Sequence, residues 1–404
     1  MRILFLTGEF PPMQGGVGDC TNEIAQALAA LGTDVRVLTS VRAVGSQRPA
    51  LSPSFLRVNS VEGSAVEVQP IVEQWNWSSL RVIARTIREF APEIAHIQYQ
   101  TAAFGMHPAI DFAPRFLKSL KTKFVTTFHD LRVPYLFPKA GRVREWVTRE
   151  LARSSDTVVA TNDEDHARLP TWRVRHLSLI PIGSNIPTAE PRDYQTTAWR
   201  AQLGVRDDET LLCYFGFLKE SKGTETLIRA LARVANAKLL MIGGQIGASD
   251  PTNIAYLSKI KSLISNLELT DRVQWTDYTP PEIVTANFRS ADICVLPYRD
   301  GASYRRGTLM AALAHGCAIV TTTPRVIVGA TGSSPLPVLR DGANCLLVPP
   351  DDPRALADAI QRAIASPELR AKIGVGAREL AQHFTWDRIA QQHLELYRQI
   401  ANRT

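Results

Sequence analysis

The sequence predicts an α/β protein built from two doubly wound units, and three observations carry that expectation. Short apolar runs alternate with amphipathic stretches along nearly all of the 404 residues. A glycine-bearing loop follows the first apolar run of each half. The alternation is interrupted once, by the polar, proline-bearing segment Asn185 to Asp208. The length suits two or three domains, and 45% hydrophobic content with 21% charged residues is ordinary for a globular chain.

The first half opens with RILFLT (2–7), a glycine-rich turn and a stretch in which Ile24, Ala27, Leu28 and Leu31 recur at helical spacing. The run TDVRVLTS (33–40) completes a βαβ unit. AHIQY (95–99), KFVTTFHD (123–130), DTVVATN (156–162) and LSLIPIG (177–183) continue as strands. SSLRVIARTIREFA (78–91) and VREWVTRELARSS (143–155) supply helices between them. Strands separated by helices imply an open, largely parallel sheet covered on both faces.

After the linker candidate the pattern restarts. TLLCYFGFL (210–218), AKLLMIGG (237–244), DRVQWTDY (271–278), DICVLPY (292–298), AIVTTT (318–323) and NCLLVPP (344–350) read as strands, with helical stretches such as TETLIRALARVA (224–235) between them. No short tandem repeat relates the halves, so their likeness is one of architecture. The tail FTWDRIAQQHLELYRQIANRT (384–404) is amphipathic, with Ile389, His393, Leu396 and Ile400 on one stripe and no strand after it. Such a helix can pack back on the first domain. The expected division is 1–187 plus the helix at about 386–404, and 188–385.

Several classes are disfavoured. The run Ile3 to Leu6 is too short for a signal peptide or a membrane span and reads as a buried strand. The five cysteines lie far apart without a C-x-x-C pair, as expected of reduced thiols in a cytoplasmic protein. The eight histidines lack metal-ligand spacing. A net charge of +7 suits an anionic partner, whether a nucleotide, a phosphorylated lipid or a membrane surface. The basic residues form no long block and accompany no nucleic-acid motif, so nucleic acid is not expected.

Three places have the residue types for chemistry. In FPPMQGGVGDC (10–20), Gly15 and Gly16 permit close backbone approach ahead of a helix whose free N–H groups suit a phosphate; the alternative is an ordinary glycine turn. In FGFLKESKG (215–223), Gly216, Lys219 and Lys222 repeat the arrangement, and Lys222 is either a pyrophosphate counter-ion or a solvated lysine. VTTFHD (125–130) puts His129 and Asp130 at the carboxyl end of a strand, where open α/β sheets hold their ligands. There His129 can bond a substrate hydroxyl or exchange a proton near pH 7, or the pair can be a loop contact. No G-x-S-x-G elbow supports a serine hydrolase, and neither glycine loop has the G-x-G-x-x-G of a nicotinamide dehydrogenase.

Taken in order, PPMQGGV (11–17), TFHD (127–130), IPIGSNIP (180–187), Gly216-x(5)-Lys222-Gly223, ADICVLPY (291–298), AHG with AIVTT (314–322), DGANCLLVPPDDP (341–353) and FTWDRIA (384–390) resemble the GT-B glycosyltransferases, and among them glycosyltransferase family 4. The resemblance covers essentially the whole chain. It implies two Rossmann-like domains facing a cleft, with the last helix crossing back to the N-terminal domain. It further implies retaining transfer of a hexose from a UDP- or GDP-linked donor to a saccharide, lipid-linked or small-molecule acceptor, with no metal and no cofactor beyond the donor itself. By position it gives Gly16 and Lys222 to the donor phosphates and His129 to the donor sugar or acceptor hydroxyl.

The same resemblance locates a departure. Family members carry Glu-x(7)-Glu ahead of the small-residue helix, and here Ser303 and Ala311 occupy those positions; no Asp or Glu occurs from Gly301 to His315. The arginine expected after Gly216 is Phe217. What remains is an anion site: Gly307, Thr308 and Leu309 begin a helix, and Arg305 or Arg306 can supply the missing charge, unless both are exposed on the loop. Ser303 and its neighbouring amides can bind sugar hydroxyls, and Asp300 is the nearest substitute carboxylate. Tyr278 beside Asp277 is the positional candidate for the base, and Glu9 to Gln14 and Trp75-Asn76-Trp77 are candidates for the acceptor side. The competing reading is a catalytically silent sugar-nucleotide-binding or scaffold subunit; a GT-B epimerase or hydrolase is weaker, because its acidic residues have no match.

Overall fold

The computed structural model describes residues 1–44, 56–59, 65–131, 141–245, 252–325 and 336–402. These form two compact units. Among these residues, the first unit takes those up to Gly183 together with 386–402, and the second takes 184–325 and 336–385.

The first unit holds strands β1 (Arg2–Thr7), β2 (Asp34–Ser40), β3 (Leu56–Asn59), β4 (Ala65–Val72), β5 (Ile94–Tyr99), β6 (Lys123–Phe128), β7 (Thr157–Ala160) and β8 (Leu177–Leu179) in one sheet, ordered β3-β4-β2-β1-β5-β6-β7-β8. Neighbours are parallel except β3 with β4. Alternation along β1 divides the core: Leu4 and Leu6 face Ile83, Ile87 and Phe90 of the Ser79–Phe90 helix, while Ile3 and Phe5 face Ile24 and Leu28 of the Gly16–Ala30 helix. Each face is thereby sealed by helices, and the central strands can be apolar on both sides.

The Trp386–Ala401 helix packs on the second of these faces, against the Gly16–Ala30 helix. Its inward stripe is Ile389, His393, Tyr397 and Ile400. Leu396, expected on that stripe, is only partly buried; the 3.6-residue repeat brings Tyr397 inward in its place.

The second unit holds β9 (Thr210–Phe215), β10 (Ala237–Ile242), β11 (Val273–Trp275), β12 (Ile293–Leu296), β13 (Ile319–Thr322) and β14 (Leu346–Val348) in a parallel sheet ordered β11-β10-β9-β12-β13-β14. The order reverses between β9 and β12, so the crevice beyond their carboxyl ends is the natural ligand position. In the first unit the corresponding reversal lies between β1 and β5.

The polar segment Asn185 to Asp208 is less of a linker than its composition implies. It contains a helix, Thr196–Gln202, that is tied into the second unit: Trp199 Nε1 donates to Asn287 Oδ1 at 2.9 Å, and Arg200 pairs with Asp292 at 3.0 Å. All five cysteines are free thiols, and all but Cys317 are buried.

Candidate functional site

In the second unit the chain leaving β9 enters a loop that needs glycine twice. Gly216 has φ +118°, and a Cβ there would stand 2.5 Å from Lys222 Nζ and 2.7 Å from Thr308 Cγ2. Gly223, at φ +71°, lies against the Pro297 carbonyl, which a Cβ would meet at 1.8 Å. These two close approaches seat the Lys222 side chain over the end of β9 and hold its loop against the end of β12.

The chain leaving β12 supplies the rest. Tyr298 is buried, and its hydroxyl lies 2.7 Å from Thr308 Oγ1. The Arg306 guanidinium stacks over the Tyr298 ring at 5.1 Å. Arg306 caps the Gly307–Ala314 helix without a side-chain bond; the N–H groups of Gly307 and Thr308 head that helix, where no preceding turn exists to accept them. Gly216, Lys222, Tyr298, Arg306 and Thr308 are thus gathered at the strand-order reversal.

Electrostatics marks the same spot. Burial, reinforced by the nearby Arg306 and Lys219 charges, pushes the Lys222 ammonium down to about 7. A lysine under that pressure is relieved by an anion. Two cations beside a helix N-terminus suit an anionic group such as a phosphate.

The two arginines divide. Arg305 and Arg306 both close on Asp300, Arg305 at 2.9 Å. The Arg305 side chain is only 4% exposed, so it is an internal partner of that carboxylate, and this revises the expectation that either arginine serves as the loop cation. Arg306 is the one beside Lys222. Asp300, engaged by both guanidinium groups, is likewise a structural counter-ion more than a substitute carboxylate for sugar hydroxyls.

Ser303 is half-buried and its carbonyl accepts from Arg306 N–H at 3.0 Å, shaping the turn into the helix. Leu309 and Ala311 are wholly buried inside the second unit. Tyr278 follows the carboxyl end of the edge strand β11 and is exposed, and Lys219 is exposed too. Asp277 bonds Gln245 and bridges to Gly243.

In the first unit, Gly15 precedes the Gly16–Ala30 helix in extended conformation, and a Cβ on Gly15 would run into the Glu9 carboxylate at 2.0 Å. A Cβ on Gly16 would meet nothing within 4 Å, so the terminus has free space on the Gly16 side and the Glu9 carboxylate on the Gly15 side. His129 and Asp130 follow β6, both half-buried.

His129 sits at the end of a buried polar chain. Its Nε2 lies 2.7 Å from Gln98 Oε1; Gln98 Nε2 lies 3.4 Å from His96 Nε2, which is 2.7 Å from Thr127 Oγ1; and His96 Nδ1 meets the Tyr397 hydroxyl of the terminal helix. One set of protons satisfies all of it: His129 Nε2–H donates to Gln98, Gln98 and Thr127 donate to His96 Nε2, and His96 Nδ1–H donates to Tyr397. The His129 atom outside this chain is then Nδ1, an acceptor. Burial, together with the nearby His393, lowers the His129 imidazole to about 4. An imidazole lowered that far is neutral at pH 7, which counts against the expected proton exchange near neutrality and leaves it hydrogen bonding.

Gln98 and Tyr298 were not singled out by sequence reasoning. His96 and Gln98 are polar residues two apart in an apolar strand, hence on one face, and that alternation was the available signal. Tyr298 ends a quoted strand and reveals itself only through Thr308.

Two family models match this chain: one described as "Glycosyl transferase 4-like domain" over residues 15–183, and one described as "Glycosyl transferases group 1" over residues 209–366. The chain is 26% identical to a D-inositol 3-phosphate glycosyltransferase of Corynebacterium diphtheriae, with 98% of this chain and 94% of the relative aligned. A protein of the same name from Kineococcus radiotolerans is 27% identical, over 64% of this chain and 60% of the relative. Among solved structures, a sucrose-phosphate synthase from Thermosynechococcus elongatus superposes with TM-score 0.75 at 24% identity, over 99% of both chains. Anabaena HepE in complex with UDP and glucose superposes with TM-score 0.73 at 19% identity, over 99% of this chain and 100% of that one.

Proposed function

The chain belongs to the GT-B glycosyltransferases of family 4, and from that premise we propose that it is a retaining hexosyltransferase that needs no metal and draws on a nucleotide-sugar donor. The observation that carries the reading is the convergence of Lys222, Arg306 and the Gly307–Thr308 helix terminus beyond β9 and β12. Two cations and oriented N–H groups oppose the charge that appears on a departing diphosphate.

In front-face transfer the bond from the donor sugar C1 to the phosphate oxygen breaks, and a bond from C1 to the acceptor oxygen forms on the same face. The acceptor proton passes to the departing phosphate oxygen. No strong general base is required, so the protein contributes charge stabilisation and orientation. Lys222 and Arg306 supply the first. Neutral His129, its tautomer fixed by Gln98, supplies a hydrogen bond to a sugar or acceptor hydroxyl, with Asp130 beside it. Gly16 leaves space for a phosphate at the Gly16–Ala30 helix terminus, provided the Glu9 carboxylate beside Gly15 moves aside.

Similarity sets the first substrates to try. HepE is described with UDP and UDP-glucose, which puts UDP-hexoses ahead of GDP-hexoses as donors. The relatives' name puts a phosphorylated cyclitol among the small-molecule acceptors, ahead of saccharide and lipid-linked ones. Five free thiols fit a cytoplasmic setting. The test is acceptor-dependent release of nucleoside diphosphate across a donor and acceptor panel, with the anomeric configuration of the product read by NMR. Inversion would overturn the retaining assignment, and nucleotide binding without release across the panel would overturn the transfer itself.

A second reading has its own observation. Ala311 is wholly buried where the family has a ribose-binding glutamate, and Ser303 replaces the sugar-binding one. A silent sugar-nucleotide-binding subunit would show those losses. Turnover abolished by Lys222→Ala eliminates that alternative.

A further inference from the structure

The first unit carries an aromatic surface unconnected with the Lys222 group. Trp77, Phe116, Val143 and Trp146 are 49%, 57%, 65% and 56% exposed. Trp77 lies 6.2 Å from the Phe116 ring and 5.8 Å from Phe112, which is 6.0 Å from both Phe116 and Trp146. Val143 and Trp146 are three apart on the Gly141–Ser154 helix and so share a face. Residues separate in sequence have been gathered into one apolar patch left in water, and contiguous exposure of that kind marks an interaction surface.

Its flanks are cationic. Arg81, Arg115, Lys118, Lys121 and Arg142, drawn from the three segments that build the patch, are all exposed. The acids of those segments are largely spent: Glu89 pairs with Arg85, Glu145 with Arg149 and Arg168, and Glu150 with Arg115, while Asp111 is buried against Tyr99; Glu73 is exposed. Exposed tryptophan and phenylalanine amid lysine and arginine have the composition of a side that enters the headgroup region of an anionic bilayer, rings at the acyl boundary and cations on the lipid phosphates.

A saccharide platform fits less well. Such a platform needs amides or carboxylates beside the rings to bond sugar hydroxyls, yet Asn76 and Gln74 bond each other and Asn76 Oδ1 takes both the Ser78 N–H and hydroxyl. We propose that the Trp77–Phe116–Trp146 surface docks this protein on a membrane leaflet rich in anionic phospholipid. Docking is by partial insertion only, as no helix among the described residues is long and apolar enough to cross a membrane.

Flotation of the intact protein with phosphatidylcholine vesicles, with and without phosphatidylglycerol, tests this independently of any transfer reaction. Binding to the anionic vesicles is expected, reduced by salt. The Trp77→Ser/Phe116→Ser/Trp146→Ser variant should bind about tenfold or more weakly, a change of about 1.4 kcal/mol. Lys118→Gln/Lys121→Gln/Arg142→Gln should lose the preference for phosphatidylglycerol. Absence of binding to anionic vesicles overturns the proposal. Unchanged binding by the aromatic variant does too, since the +7 chain would then be held by general electrostatic attraction, as to any acidic partner. Should that variant fail to fold, quenching of wild-type tryptophan emission by brominated lipid decides: quenching supports insertion, and its absence overturns it.

Discussion

Gln98 Oε1 lies 2.7 Å from His129 Nε2, and this one bond decides what His129 can do. It occupies the Nε2 proton and leaves Nδ1 as a hydrogen-bond acceptor, which in the proposed reaction would take a sugar or acceptor hydroxyl. Gln98→Glu replaces the amide oxygen with a carboxylate, which favours the imidazolium and raises the His129 pKa. Nδ1 then carries a proton and cannot accept. The variant should keep its nucleotide affinity, lose about tenfold in kcat at neutral pH and recover as pH rises through the new pKa. A pH–rate profile superimposable on wild type would show that the histidine does not touch the reacting groups.

If Lys222 holds the donor phosphates as proposed, it should set the pH dependence of nucleotide binding. Free of ligand it is protonated below about pH 7 and increasingly neutral above it. An anion binds the protonated form more tightly. Affinity for a nucleoside diphosphate should therefore weaken as pH rises above about 7, by up to tenfold per unit, where the phosphate's own ionisation, near 6, is already complete. Titration calorimetry in buffers of different ionisation enthalpy should report proton uptake on binding. Lys222→Arg, whose guanidinium keeps its charge, should flatten the slope.

Asp300→Asn removes the shared carboxylate from Arg305 and Arg306. Arg305 is almost wholly buried, so its guanidinium would lose an anionic neighbour in a place water does not reach. A loss of about 3 kcal/mol in the stability of the second unit is expected, read as a lowered denaturation midpoint. Restoration of that midpoint by a second change, Arg305→Met, would identify the buried charge as the cause.

His393 makes the first unit acid-sensitive. Burial lowers its imidazole to about 4, against about 6.5 in an unfolded chain. Between those values the unfolded state takes up the proton and the folded state does not, so stability is full above pH about 6.5 and falls as pH drops toward 4. The contribution is about 2–3 kcal/mol, and His96 and His129 act in the same direction. His393→Gln should make the midpoint less steep against pH over that window.

The alternation of apolar runs and helices made both sheets legible, because in a parallel sheet covered on both faces almost every strand residue must be apolar. β3 and β4 escaped notice; Glu67, Gln69 and Pro70 break the apolar run of β4 near the edge of the sheet. The helix at Thr196–Gln202 was hidden because its anchors, Trp199 and Arg200, find their partners some ninety residues away. At the site, Gly216, Lys222, Arg306 and Thr308 could be named from motif order. That Arg305 turns inward to Asp300 could not, since two adjacent arginines look alike until one of them is buried. The chain from His129 to Tyr397 was beyond reach for the same reason: it joins four segments, and only the polar pair in β5 betrayed it.

The helix Trp386–Ala401 belongs to the first unit but is made after the second. A ribosome must deliver the whole second unit before Tyr397 can meet His96, so during synthesis the first unit waits with one flank of its sheet uncovered. Deleting this helix should therefore leave that flank uncovered for good and the first unit dependent on holding factors.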